Sequence, residues 1–262
     1  MNKLFSLAAT IVVFTGAHLF ADDFDSAGVK IHYTVQGRGE PVILIHGLFA
    51  NGPLNWSGPG ITAALAKRAQ VILVDCRGHG LSDKPSGEHD YGVQMVEDLG
   101  RLMDHLHLSS AHLIGYSMGA MITLKFASLH PERVRSAILG GAGWMEDGAL
   151  FERFASGTGG TGPGQRNAAL GSLLAGFSEF SVPAEAVKSL RVPIEIIIGE
   201  QDFNRRLGVE PLLRLRPDLT EHVIADANHL TCVIKPQFKA EVEAALTRHL
   251  AKERDRDQPT PR

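Results

Sequence analysis

A chain of 262 residues, 44% hydrophobic and 21% charged, is long enough to bury one large core or two small ones. Its net charge is −3 with both signs scattered along the chain, so there is no basic stripe for nucleic acid, which is excluded as a partner. Cys76 and Cys232 are the only cysteines and neither has metal-ligand spacing around it, which argues against a zinc site. Two such distant cysteines read as small buried hydrophobes, although export would permit them to pair.

The elements follow in chain order. Lys3, the interrupted apolar run "LFSLAATIVVFTGAHLF" and a small residue at Ala21 have the layout of a secretory signal peptide over residues 1–21. That predicts export to a periplasm or to the medium, with no stable membrane insertion once the leader is removed. A retained anchor is the alternative, but the run is short and broken for a span of ~20 apolar residues. "VKIHYTVQG" (29–37) alternates as a half-buried strand does. Thereafter "PVILIHG" (41–47), "QVILVDC" (70–76), "AHLIGYS" (111–117), "VRSAILGG" (134–141), "VPIEIIIGE" (192–200) and "EHVIADA" (221–227) are short apolar runs, which suit strands buried on both faces of a parallel sheet.

Helical spacing appears between the runs, in "GITAALAKRA", "YGVQMVEDLGRLMDHL", "MGAMITLKFASLH", "RLGVEPLLRLR" and "PQFKAEVEAALTRHLAK". The alternation predicts an α/β fold, a mostly parallel central sheet with helices on both faces. Residues 22–144 and 191–252 form that core. Residues 145–190 interrupt the alternation, with five glycines in "SGTGGTGPG" (156–164) before an apolar "NAALGSLLAGF", and read as a short mobile cap. The tail 253–262 reads as disordered.

In such sheets the chemistry lies beyond the C-terminal ends of the strands. There Ser117 stands in "GYSMG", between a buried strand and a helix, with Gly115 and Gly119 two residues to either side. With 28 glycines in 262 residues, that pentapeptide arises by composition alone in roughly one chain in six. Its placement on a sharp strand-to-helix turn makes it a nucleophile candidate. A serine hydroxyl needs a base, and the base needs an orienting group. After later strands come Asp202 and His229, giving Ser117, Asp202 and His229 as a triad; Glu200 and Asp147 are the competing carboxylates. His46, His79, Asp75 and Arg77 read as groups that tie loops, the last two as a pair.

The residues 24–252 resemble the α/β-hydrolase fold family, through "HG" (46–47), "DCRGHGLSDKP" (75–85), "GYSMG" and "NH" (228–229), in that family's order. The resemblance implies an oxyanion hole made by the backbone N–H groups of Leu48 and Met118, with Phe49 as fallback for the first. No cofactor and no metal are expected. Phe49, Trp56, Tyr116, Trp144 and Leu230 are candidates for the substrate-binding mouth. Ser117 stands where dehalogenases and epoxide hydrolases carry Asp, which sets both aside. "HGLFANGP" departs from the glycine-rich loop usual in carbon–carbon bond hydrolases. The reading is therefore a serine carboxylesterase acting through an acyl-enzyme on small-molecule esters with apolar acyl or aryl groups. Lactonase, carbon–carbon hydrolase and acyltransferase or perhydrolase chemistry on the same triad stay open, as does a small-molecule receptor.

Overall fold

The apolar runs become the centre of a sheet. A computed structural model describes residues 19–87, 89–146 and 168–257. Among these residues the strands are β1 (Leu19–Ser26), β2 (Val29–Gly37), β3 (Pro41–Ile45), β4 (Gln70–Val74), β5 (Ala111–Tyr116), β6 (Val134–Gly140), β7 (Ile194–Gly199) and β8 (Thr220–Ile224). They form one sheet in the order β1-β2-β4-β3-β5-β6-β7-β8. β1 and β2 are an antiparallel hairpin, β2 is antiparallel to β4, and every other pairing is parallel.

The strand pleat sends alternate residues to opposite faces. Ile43 and Ile45 of β3 join Leu113 and Leu139 beneath α2 (Val93–His105) and α3 (Met118–Leu129), whose Val96, Leu99 and Phe126 close that side. Val42 and Leu44 join Ile114 and Ile138 on the opposite face, covered by α1 (Ile61–Leu65) and by Phe238, Val242 and Leu246 of the long closing helix. Each fully buried aliphatic side chain stabilises the fold by ~1.5–3 kcal/mol relative to exposure. The central strands β3 to β7 are largely apolar on both faces because both faces are covered.

Three sequence-based boundaries change. β1 starts at Leu19 and pairs Leu19, Phe20 and Ala21 with Gln36, Val35 and Thr34, so the expected leader 1–21 overlaps an edge strand by three residues. The rest of the leader lies outside the described residues. Of the expected cap, 147–167, Asp147 included, also lies outside them. The remainder folds as α4 (Ala168–Ala175), a 3₁₀ turn (Gly176–Phe180) and α5 (Ala184–Ser189), with Leu173, Phe177, Phe180 and Val187 buried in the α2–α3 core. Glu179 accepts the Val93 N–H at 2.8 Å at the start of α2, and Lys125 of α3 donates to the Ser181 carbonyl at 2.7 Å. This half of the segment is packed onto the core. Helix α6 (Glu210–Leu215) precedes β8, and α7 (Pro236–Asp257) runs five residues into the expected disordered tail. No described helix is long and apolar enough to cross a membrane.

The strand order places the site. The chain leaves β3 toward β4 on one side and leaves β5 toward β6 on the other, although β3 and β5 are neighbours. Loops diverge at their C-terminal ends and open a crevice between them. Leu48 follows β3 there, and Ser117 follows β5.

Candidate active site

Ser117 is the residue between β5 and α3, with φ 54° and ψ −115°, a left-handed conformation that a residue with a Cβ adopts only when its surroundings hold it. The two glycines of the pentapeptide explain how. A Cβ on Gly115 would overlap the carbonyl of Gly119, and one on Gly119 would overlap the carbonyl of Ile45 at the end of β3. Strand, turn and helix are pressed together until only hydrogen fits. A serine at a helix start ordinarily caps the first turn, but Ser117 makes no capping bond, so its hydroxyl is available elsewhere.

That hydroxyl meets His229. Ser117 Oγ lies 2.9 Å from His229 Nε2, and His229 Nδ1 lies 2.8 Å from Asp202 Oδ2. The Asp202 side chain is fully buried and accepts only, so Nδ1 carries the proton and Nε2 offers a lone pair to the serine. The second carboxylate oxygen of Asp202 accepts the Asn204 N–H at 2.9 Å. The structure thus brings together Ser117, Asp202 and His229. Glu200 points to a different task, accepting the Asp226 N–H at 3.1 Å.

The main-chain donors come from both sides of the crevice. Met118 is the first residue of α3, where N–H groups have no intrahelical acceptor and the positive end of the helix dipole lies. Gly47 backs onto Ser117, since a Cβ on it would stand 3.3 Å from the Ser117 Cβ. Asn55 holds this loop by accepting the Gly47 N–H at 3.0 Å, and the Ala50 N–H closes a turn onto the Gly47 carbonyl at 3.2 Å. Leu48 sits half-buried inside that turn.

His46 and Asp75 tie the neighbouring loops. His46 Nδ1–H donates to the Gly47 carbonyl at 2.8 Å while Nε2 accepts the Cys76 N–H at 3.0 Å, which requires a neutral ring. Burial, with His79 beside it, lowers its pKa to about 4. Asp75 accepts the Gly52 and Leu81 N–H groups at 2.8 and 2.9 Å. The expected Asp75–Arg77 pair does not form. Arg77 instead makes a bidentate pair with Asp98 at 2.7 and 2.6 Å, both side chains being buried. Cys76 and Cys232 are free and buried on opposite faces of the sheet, and burial pushes the Cys232 thiol up to about 12.

The expected mouth residues separate into three groups. Phe49 and Leu230 are exposed, at 70% and 81%, on the loops that carry Leu48 and His229. Trp56 is fully buried among Val42, Leu65 and Phe238, so it is a core residue and not a substrate contact, because the helical turn Pro53–Ser57 directs it under the sheet. Trp144 is also buried, its indole N–H donating to the Val182 carbonyl at 2.7 Å. Tyr116 lines no opening either. It is buried, and its hydroxyl donates to the His229 carbonyl at 2.6 Å while its ring packs on the His229 ring with centroids 5.7 Å apart.

The cavity at Ser117 has other walls. It measures about 20 Å³ and is lined by Met121, Ala142, Gly143, Met145, Asn204, Leu207 and Gly208. Met121 and Met145 read from the sequence as core or pocket-lining residues. Asn204 carried no such signal. Among the described residues no cluster of His, Cys, Asp or Glu could hold a metal ion.

A family model described as the alpha/beta hydrolase fold matches residues 40–169. The 2-hydroxy-6-oxo-2,4-heptadienoate hydrolase of Pseudomonas putida is 35% identical over 127 residues, covering 45% of this chain and 42% of that protein. The cis-3-alkyl-4-alkyloxetan-2-one decarboxylase of Shewanella oneidensis is 32% identical over 184 residues, covering 66% and 53%. The chain therefore spans about half the length of the curated relatives it matches. A solved structure of 2-hydroxy-6-oxo-6-phenylhexa-2,4-dienoate hydrolase from Rhodococcus sp. strain RHA1 superposes with a TM-score of 0.72 at 18% identity, over 90% of this chain and 100% of that one. With its sheet order, its strand-to-helix turn at Ser117 and these likenesses, the chain belongs to the α/β-hydrolase fold family.

Proposed function

We propose that the protein is a serine hydrolase that cleaves carboxylic esters through an acyl-enzyme. The observation that carries this reading is the continuous chain from Ser117 Oγ to His229 Nε2 at 2.9 Å and from His229 Nδ1 to Asp202 Oδ2 at 2.8 Å. His229 takes the hydroxyl proton as the Ser117 oxygen bonds to the ester carbonyl carbon. The carbonyl oxygen becomes an anion and is met by the N–H groups of Leu48 and Met118, where loss of one donor costs ~2.7–4 kcal/mol. Collapse breaks the bond to the alcohol oxygen, which leaves with the proton from His229. Water then gives its own proton to His229, adds to the acyl carbon and releases the acid, and the serine regains its hydrogen.

A second reading is hydrolysis of a hydroxy-oxo-dienoate, favoured by the Pseudomonas putida relative's activity. The described cavity wall is apolar apart from Ser117 and Asn204, which suits an uncharged acyl group better than a dienoate carboxylate. The test is turnover of a chromogenic ester by the wild type and by Ser117→Ala. Loss of about 10³-fold or more in kcat is expected for the variant. Full activity in Ser117→Ala would remove the nucleophile from the proposal.

A further inference from the structure

We propose that Asn204 is a positioning residue for the triad, a role that rests on the serine-hydrolase reading above. Its side-chain amide fastens the turn bearing Asp202 to the strand end that holds Ser117, and it leaves the His229 Nδ1 proton no acceptor but Asp202. Asn204 stands two residues past Asp202 and just before the helical turn Arg205–Val209. An asparagine there ordinarily caps the turn, but Asn204 makes no capping bond. Its Nδ2 donates instead to the Gly141 carbonyl at 2.9 Å.

That partner ties the acid to the nucleophile. β6 ends in Gly140, whose carbonyl accepts the Ser117 N–H at 2.8 Å. Adjacent carbonyls at one strand end therefore hold Ser117 and the acid-bearing turn. Gly141 is in turn fixed to β7, its N–H donating to the Ile197 carbonyl at 2.9 Å. The Asn204 main-chain N–H completes the arrangement by donating to Asp202 Oδ1 at 2.9 Å, which leaves Oδ2 for His229.

The second contact is with the base. Asn204 Nδ2 lies 3.4 Å from His229 Nδ1. Because the Gly141 carbonyl can only accept, the amide nitrogen and not its oxygen occupies that position. Nδ1 carries its own proton, so two donors face each other and no bond joins them. An oxygen in the same place would draw the Nδ1 proton away from Asp202. The amide thus protects the tautomer in which Nε2 is free to take the Ser117 proton.

The experiment compares wild type, Asn204→Ala and the near-isosteric Asn204→Asp on a chromogenic ester, with a thermal melt of each. Asn204→Ala removes the tie to Gly141 and should lower kcat about tenfold with KM little changed. Asn204→Asp also sets a competing acceptor beside Nδ1 and should lower kcat about 100-fold or more. Its carboxylate favours the imidazolium, so the acid limb of kcat/KM should move up by about one pH unit. A residue that only fills space gives the opposite order, with Asn204→Ala the slower variant. That order, an unmoved acid limb in Asn204→Asp, or a raised KM at wild-type kcat overturns the inference and leaves the esterase reading standing. If Asn204→Asp does not fold, Asn204→Ala decides: the tenfold fall supports the inference and the wild-type kcat overturns it. If the wild type turns over no ester, the esterase reading falls. The rate of Ser117 labelling by a fluorophosphonate, which also needs His229 as base, then takes the place of kcat, and equal rates in the three proteins overturn the inference.

Discussion

Gly119→Ala asks whether the turn at Ser117 is held by backbone contact. The new Cβ would overlap the Ile45 carbonyl oxygen and stand 2.6 Å from the Ile45 carbonyl carbon and 2.8 Å from the His46 oxygen. Carbon atoms in contact rest ~3.5 Å or more apart, so the start of α3 must lift from β3 by about 0.9 Å. The opposing atoms belong to a strand paired to β4 on one side and β5 on the other, and they cannot swing away as a flexible side chain would. Ser117 and Met118 are carried with the helix. A misplacement of about 1 Å in a catalytic group costs roughly 100-fold in rate, while overpacking of this kind costs ~1–3 kcal/mol in stability. For a domain of this size, that lowers Tm by roughly 2–10 °C. The assay is kcat and KM on a soluble ester beside a thermal melt followed by circular dichroism. The expected variant is folded, somewhat less stable, and about 100-fold slower with KM little changed. Wild-type kcat in folded Gly119→Ala would refute the argument that these contacts set the position of Ser117.

Three further outcomes are expected. Asp98→Ala strands the Arg77 guanidinium in a buried site and should cost about 3–5 kcal/mol, whereas Arg77→Met with Asp98→Leu should recover much of it; equal urea midpoints for wild type and Asp98→Ala would contradict this. Tyr116→Phe removes the hydroxyl that anchors the His229 carbonyl and should lower kcat about tenfold with a few degrees lost in Tm, measured by steady-state kinetics and melting. His46, His112 and His249 are each driven down to about 4, chiefly by burial. The unfolded chain then binds more protons than the folded one between pH 6.5 and 4, so stability falls as the pH falls through that window. At pH 5 each histidine withdraws about 2 kcal/mol, and a Tm that stays level between pH 7.5 and 5 would show that they are not held neutral.

The central parallel strands were legible because a strand covered on both faces is apolar at most positions, and "PVILI" and "IEIIIG", in which Glu195 alone is charged, leave little else to read. β1 was hidden for the opposite reason. It is an edge strand, and Asp22, Asp23 and Asp25 in "LFADDFDS" protect an unpaired edge while erasing the hydrophobic alternation. The triad was readable since each member stands at a fixed place, just past the end of a parallel strand. The pocket was not, because which way a residue near a strand end faces depends on packing that local sequence does not record. Trp56 is buried while Leu54, two residues earlier in the same turn, is 65% exposed. Tyr116 is an exception. Period-two counting from Ile114 already assigns it to the face of the sheet covered by α7, away from the opening, and both residues share that core.

The hydrogen bond from Tyr116 to the His229 carbonyl closes a ring. Tyr116 is joined to Ser117 by a peptide bond, Ser117 meets the His229 imidazole, and the His229 main chain returns to the Tyr116 hydroxyl. Such a ring behaves as a mechanical linkage: when the loop after β8 fluctuates, it pulls on the residue beside the nucleophile as well as on the base. The separation between Ser117 Oγ and His229 Nε2 is thereby insulated from loop motion that alters the shape of the opening. Sequence drift in the exposed residues around His229, such as Leu230 and Phe203, can then reshape the opening while the contact between Ser117 and His229 stays in register.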